Sequence, residues 1–235
     1  MRRRTFVTPP PGPLARQAAL LSIGGISLFV ALLAALHLLR PDLAPSWRFI
    51  SEYELGPYGA LMRVAFFALA VGTFGVAVAL ASQVPRLAGY LGLLQLALSA
   101  AGMVLAAIFV PDPRHHLHDL GAMLDQIPFA ALFLAWSLSG NVRWASRRRS
   151  QWAMALLPLL GLVVFMVSMG VMLPRNGGRP GPTVLVGWQN RFMILTQCAW
   201  MLHTARQVVA VARGSAAGRP TDAAGLVPAI APPPG

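Results

Sequence analysis

Three of the five histidines and two of the seven acids fall within nine residues, Pro111-Asp112-Pro113-Arg114-His115-His116-Leu117-His118-Asp119. Imidazole nitrogens and carboxylates together are suitable ligands for a divalent metal, and a His–Asp pair can move protons. On a helix running out of this segment, His115 and Asp119 stand one turn apart. His118, Ala122 and Asp125 then share a second stripe, at i, i+4 and i+7. His115, His118 and Asp119 are the ligands on which a metal site would draw. No HExxH or other recognised ligand spacing is present, so neither a metal nor another cofactor is expected. Asp112-Pro113 has a structural reading as well, with Asp as helix N-cap and Pro as first helical residue.

Asp125 raises a different question. It follows Asp119 by six residues, about 9 Å along a helix, and lies within an apolar run. An unpaired carboxylate at such a depth costs on the order of 3 kcal/mol. It must be neutral or meet a cation, and Arg63 and Arg191 are the expected partners. Ser51 and Glu52 belong to a loop with Trp47, Tyr53 and Tyr58, aromatics that suit a membrane–water boundary. Glu52 and Glu54 have the spacing of an acid/base pair, but a loop does not guarantee that spacing. His37 and His203 are isolated near helix ends, and an interfacial place is expected for both.

The elements that position these residues follow from composition. The 235-residue chain is 56% hydrophobic and 11% charged, with mean hydropathy +0.62; a soluble domain carries about 25% charged residues. Six apolar runs have the length of about 20 residues that a bilayer-spanning helix needs: Gln17–Leu39, Ala60–Ala81, Ala88–Val110, Leu120–Ser139, Trp152–Leu173 and Phe192–Ala212. Period-2 alternation is absent, which argues against a membrane barrel. The expected fold is all-α, a polytopic bundle of six transmembrane helices spanning residues 17–213. Residues 1–16 and 214–235, rich in Pro, Ala and Gly, are expected as disordered tails. Small residues four apart, Ala68/Gly72, Gly75/Ala79 and Ala97/Ala101, allow close helix approach in lipid. Pro128 and Pro158 should kink their helices and free the carbonyls of Leu124 and Met154. The single Cys198 excludes an internal disulfide.

All 19 basic residues are Arg and the net charge is +12. The expected topology divides it unequally. The side with both termini holds 12 Arg and one acid, Asp222; the other holds seven Arg and all six remaining acids. The positive-inside rule makes the first side cytoplasmic. The high charge is therefore an orientation signal and an attraction to anionic headgroups, and a nucleic-acid partner is excluded.

Several short motifs, in order, carry a family likeness. They are Ile50-Ser51-Glu52-Tyr53, Leu55-Gly56-Pro57-Tyr58-Gly59, Ala106-Ala107-Ile108-Phe109-Val110-Pro111-Asp112-Pro113, Leu117-His118-Asp119-Leu120-Gly121-Ala122 and Gly187-Trp188-Gln189-Asn190-Arg191. The chain resembles the bacterial six-helix membrane family called domain of unknown function 998, from Ile50 to about Arg206. The resemblance implies six spans in a bacterial cytoplasmic membrane. It also implies that Ser51, Glu52, Asp112, His118 and Arg191 match the family's polar positions, with Asn190 where the family often has Glu. It implies no chemistry.

These residues come from three loops on one side. Together with Arg63 and Asp125 they are expected to form an outward-facing polar basin. Three functions compete. The first is an accessory protein that binds membrane lipid or another membrane protein, its arginines meeting an anionic group. The second is a membrane-embedded hydrolase or transferase using His118 with Asp125 or Glu52. The third is a small-molecule transporter, which needs polar residues through the whole thickness; Gln95, Ser99, Ser168 and Gln197 are the few available.

Overall fold

The computed structural model describes residues 5–112, 114, 116–179 and 181–217, and these are mostly helical, joined by turns and irregular connections, with an isolated parallel bridge between Phe6 and Asn141. The helices are α1 (Pro13–Leu39), α2 (Gly59–Leu80), α3 (Leu87–Ile108), α4 (Leu117–Met123), α5 (Ile127–Leu138), α6 (Arg148–Arg175) and α7 (Gly187–Ala217). Their buried faces recur at helical spacing. Along α1, for example, Ala15, Ala18, Ser22, Ile26, Phe29, Leu33 and Leu36 turn inward, as a packed stripe requires. Leu, Val, Met and Phe side chains crowd the opposite faces, such as Val64, Phe67, Val71 and Phe74 on α2. Exposed apolar surface on that scale suits hydrocarbon rather than water.

Five segments are long and apolar enough to cross a membrane: Pro13–Leu39, Gly59–Gln83, Leu87–Ile108, Leu117–Leu138 and Val142–Arg175. The helix expected as the sixth span, α7, is the longest of all but carries Gln197, His203, Thr204, Arg206 and Gln207. Gln197 and Thr204 are buried, His203 and Gln207 half-buried, and Arg206 is exposed. α7 packs between α6 and α1 and also touches α2 and α5. The spans thus close a ring in chain order, each against the next, with α7 meeting α1. Short connections make neighbours antiparallel.

Small residues set the closest crossing. A side chain on Gly25 of α1 would strike the backbone of Ala68 and Gly72, and one on Gly75 would strike the Ala18 carbonyl. The two pairs on α2 noted from sequence thus face α1. Ala97 and Ala101 instead line an apolar groove between α1, α2 and α3. α6 continues through Pro158, whereas the fourth span is broken at Leu124–Gln126 into α4 and α5, with Pro128 in the first turn of α5.

At one end of the bundle, the expected N-terminal tail is a structural part from Thr5 onward. Phe6 bridges to Asn141, and its ring lies 4.4 Å from the Arg86 guanidinium. The buried Gln83 amide is the hub. Its Oε1 accepts from Thr8 Oγ1 at 3.1 Å and from Trp144 Nε1 at 3.2 Å, and its Nε2 donates to the Pro9 carbonyl at 3.1 Å. Asn141 Nδ2 donates to Thr8 Oγ1 and to the Gln83 carbonyl. Composition favoured disorder here, but a few buried polar groups that satisfy one another outweigh it. α1 correspondingly starts at Pro13, four residues before the expected boundary. α7 continues past 213 to Ala217, and 218–235 lie outside the described residues.

Gln83→Ala would leave the Trp144 indole N–H, the Thr8 hydroxyl and the Pro9 carbonyl short of partners, at about 1–3 kcal/mol for each buried group left unsatisfied. A thermal melt in detergent should therefore fall by several degrees, whereas the same change at the exposed Gln17 should leave it within error.

Candidate functional site

At the opposite end lie the connections 40–58, 109–116 and 176–186. Two arginines organise the first. Arg40, just beyond α1, donates from Nε and Nη2 to Asp42 at 2.9 and 2.7 Å, and from Nη1 to the carbonyls of Leu55 and Pro57. The guanidinium holds the exposed Asp42 carboxyl below its usual range. This clasp fixes the turn in which Gly56 and Tyr58 both adopt positive φ, 80° and 63°, immediately before α2. A tyrosine is uncommon in that region; here the surrounding contacts impose it.

The second is Arg191. Its guanidinium is buried, and among the described residues no carboxylate meets it. Nε donates to His37 Nε2 at 2.7 Å; Nη1 donates to the carbonyls of Pro45, Arg48 and Gly187 at 3.2, 2.6 and 3.0 Å; Nη2 reaches Tyr53 Oη at 3.4 Å. His37 in turn donates from Nδ1 to the Leu33 carbonyl at 2.7 Å. These two bonds assign the imidazole as the neutral Nδ1–H tautomer, with Nε2 as acceptor. Arg191 therefore staples the first connection to α1 and α7. His37, expected to be interfacial, is an internal link in that staple.

The expected Arg–Asp125 pair does not form. Arg191 is committed to the staple, and Arg63 lies on the exposed face of α2, where its charge acts on Glu54. Asp125 occupies the break between α4 and α5. Its Oδ1 accepts the Ile127 N–H at 3.2 Å, and the Gln197 side chain bonds to it as well. Ser99 completes the break by accepting the Gln126 N–H at 2.7 Å and donating to the Leu124 carbonyl at 3.3 Å. That carbonyl is the one the proline was expected to free.

The remaining expected residues separate. Glu52 caps the 3-10 turn Ile50–Glu54, accepting the Phe49 N–H at 2.9 Å and pairing with Arg48 at 2.5 Å. Asp112 accepts the Arg114 N–H at 2.8 Å. It closes a local turn and does not cap a helix, because α4 begins only at Leu117. His115 lies outside the described residues. His116 pairs with Asp119 at 3.4 Å on the surface. His118 turns the other way, donating from Nδ1 to the Phe109 carbonyl at 2.8 Å, with Glu54 Oε2 at 3.4 Å. Among the described residues no three His, Cys, Asp or Glu side chains stand close enough to hold a metal.

What comes together is a cavity of about 490 Å³. Ser51, His118, Asp119 and Asp125 line it; Glu52, Arg63, Asp112 and Arg191 do not. Its walls are largely apolar, with Phe49, Phe66, Phe129 and Phe165 and four methionines, and its further polar groups are Gln126, Asn190 and Gln197. The expected basin is thus a greasy pocket with a carboxylate and amides, and no arginine lines it. Asn190 and Gln197 went unread as site residues. Their signal was present: Asn190, Gln197 and Thr204 recur every seven residues on α7, one buried stripe.

Glu54 is the other residue the sequence undervalued. Its carboxyl is enclosed, with no hydrogen bond to either oxygen. Burial pushes its pKa up to about 8, against an opposing pull from Arg63. The folded protein therefore holds a proton there that the unfolded chain releases near the ordinary value of 4.5. Stability from this group is full below that value and is lost as pH rises towards 8. The melting temperature should fall between about pH 5 and pH 8. Glu54→Gln, which mimics the protonated form, should flatten that slope and melt higher than wild type at the upper end.

Arg191→Ala should cost more than about 2 kcal/mol, since it strands an imidazole, a phenol and three carbonyls in a buried site. Adding Asp125→Asn should restore nothing, because the two groups share no partner. Adding His37→Ala should cost less than it does alone. Double-mutant melts in detergent measure both couplings.

No curated protein and no solved structure matches the chain. The family model described as "Protein of unknown function (DUF998)" matches residues 23–207, which takes in every span from within α1 to within α7 and all the residues lining the cavity. The chain belongs to the DUF998 family.

Proposed function

We propose that this protein is a multi-pass protein of the bacterial cytoplasmic membrane that binds an amphiphile, such as a membrane lipid, in the cavity between α3, α4, α5, α6 and α7. The observation that carries the reading is the cavity's make-up: aromatic and methionine walls around a few polar groups. That is the composition of sites for molecules with an apolar body and one polar head, and about 490 Å³ is within their usual size. The connections with most of the acids would face outward, the arginine-rich end inward. The anionic group expected beside Arg63 and Arg191 has no support, since neither lines the cavity.

A second reading, passage of a small molecule through the bundle, draws on the buried stripe of Asn190, Gln197 and Thr204. Thr204 Oγ1 and the Nε2 atoms of His203 and Gln151 are buried without partners towards the far end. The hydrolase reading lacks a comparable observation: His118 Nδ1 is occupied, and Glu52 is closed on Arg48.

Ala122 lines the cavity, and Ala122→Phe should fill part of it. Native mass spectrometry of protein released from native membranes should find a co-purified amphiphile on wild type. The variant should hold it about tenfold more weakly, a loss of 1.4 kcal/mol, at an unchanged melting temperature. Equal occupancy of both would place the amphiphile outside the cavity and remove the reading.

A further inference from the structure

The charge and hydrogen-bonding character of the cavity define its ligand more narrowly, on the reading that the cavity binds an amphiphile at all. Its deep end lies where Asp125 meets Gln197, ten residues into α7 or roughly 15 Å from that helix's start. Asp125 has no ion-pair partner: the residues around it are the Ile127 N–H and the Gln197 amide. Asp119, a second carboxylate, stands at the rim. Asp119 meets His116 on the surface, and no arginine lines the cavity. His118 uses Nδ1–H towards the Phe109 carbonyl, which leaves Nε2 as a further acceptor. Gln197, when its amide N–H₂ donates to Asp125, keeps its Oε1 as an acceptor too. The pocket is therefore rich in acceptors and holds two carboxyl groups, in a protein whose overall charge is +12. Its walls add four phenylalanine rings, among them Phe49 and Phe165 edge to face at 6.1 Å. Ring faces attract cations and give nothing to anions. An ammonium group would place its N–H donors on Asp125 and neighbouring acceptors, in a site where a charge-assisted bond is strong because water is scarce. The alkyl body would lie along the phenylalanines and methionines towards the rim.

We propose that this cavity selects amphiphiles bearing a protonated amine, with Asp125 as the counter-charge. Two sources share that chemistry, an amine-headed membrane lipid and a free lipophilic amine.

The test uses the full chain in a neutral maltoside detergent near pH 7, with binding read from the shift in melting temperature across a titration. Dodecylamine, dodecanol and dodecanoate share one chain and differ in head charge. Dodecylamine should bind about tenfold more tightly than dodecanol, the equivalent of 1.4 kcal/mol, and dodecanoate should bind least. Asp125→Asn keeps a side-chain oxygen that can accept the Ile127 N–H, so the fold should persist. In that variant dodecylamine should lose its advantage while dodecanol binding is retained. Lysophosphatidylethanolamine against lysophosphatidylglycerol separates the sources: an Asp125-dependent preference for the former assigns a lipid headgroup, and a preference confined to dodecylamine assigns a free amine. Equal binding of dodecylamine and dodecanol, or a preference that survives Asp125→Asn, overturns the amine assignment but leaves an amphiphile cavity. If all three probes act alike on wild type and on Ala122→Phe, the cavity reading fails with it.

Discussion

A guanidinium without a carboxylate holds one end of this protein together. Arg191 is buried, yet every partner it has is neutral: an imidazole, a phenol and three main-chain carbonyls. A buried charge is tolerable only when its donors are met, and the planar fork of arginine can meet several acceptors at once where a lysine cannot. The carbonyls come from the first connection and the start of α7, and the imidazole comes from α1. With these groups drawn onto one point, the 3-10 turn Ile50–Glu54 lies over the bundle, Glu54 is pressed against His118, and Phe49, Ile50 and Ser51 become a wall of the cavity. The site therefore owes its lid-side wall to a residue that never enters it.

The opposite wall arises from a defect. The fourth span could not run unbroken through Asp125-Gln126-Ile127-Pro128, because proline removes a donor and disturbs the preceding turn. The chain resolves this by ending α4, taking the Ile127 N–H on Asp125 and handing the loose main-chain groups to Ser99 on α3. Irregular backbone at such depth survives where it is enclosed by protein or lines a cavity, and this break does the latter. The polar requirement of the backbone and the placement of Asp125 are thus one structural event.

The sequence made the architecture legible because lipid imposes long, uniform constraints. Five of the six apolar runs stand as segments able to cross a membrane, and small-residue spacing identified the α1-facing side of α2. α7 was legible as a helix, but its polar content marks an interior position that span counting ignores. The site was less legible. Ser51, singled out through the family resemblance, Asp119, singled out as a metal-ligand candidate, and His118 and Asp125 all line the cavity. The partner of Asp125 was misjudged because charge complementarity names a class of partner and says nothing about competing acceptors. Arg191 had nearer ones. Glu54 was discounted because loop spacing carries no geometry until Arg40 and Arg191 fix the loop. Thr8, Gln83 and Asn141 gave no local signal, since their network joins residues more than 50 positions apart.

The polarity of α7 has a consequence for how the molecule is made. Helices α1 to α6 leave the ribosome first and are apolar enough to partition into lipid one by one. α7 emerges afterwards, and on its own would expose Gln197, Thr204 and Gln207 to hydrocarbon. Its insertion is therefore a cooperative act, favourable only against neighbours already in place, and it is what closes the ring. Until then the faces of α1 and α6 that α7 will cover remain open to lipid or to a membrane chaperone, and the cavity has no α7 wall. An amphiphile lying there before α7 arrives would be enclosed as the ring closes.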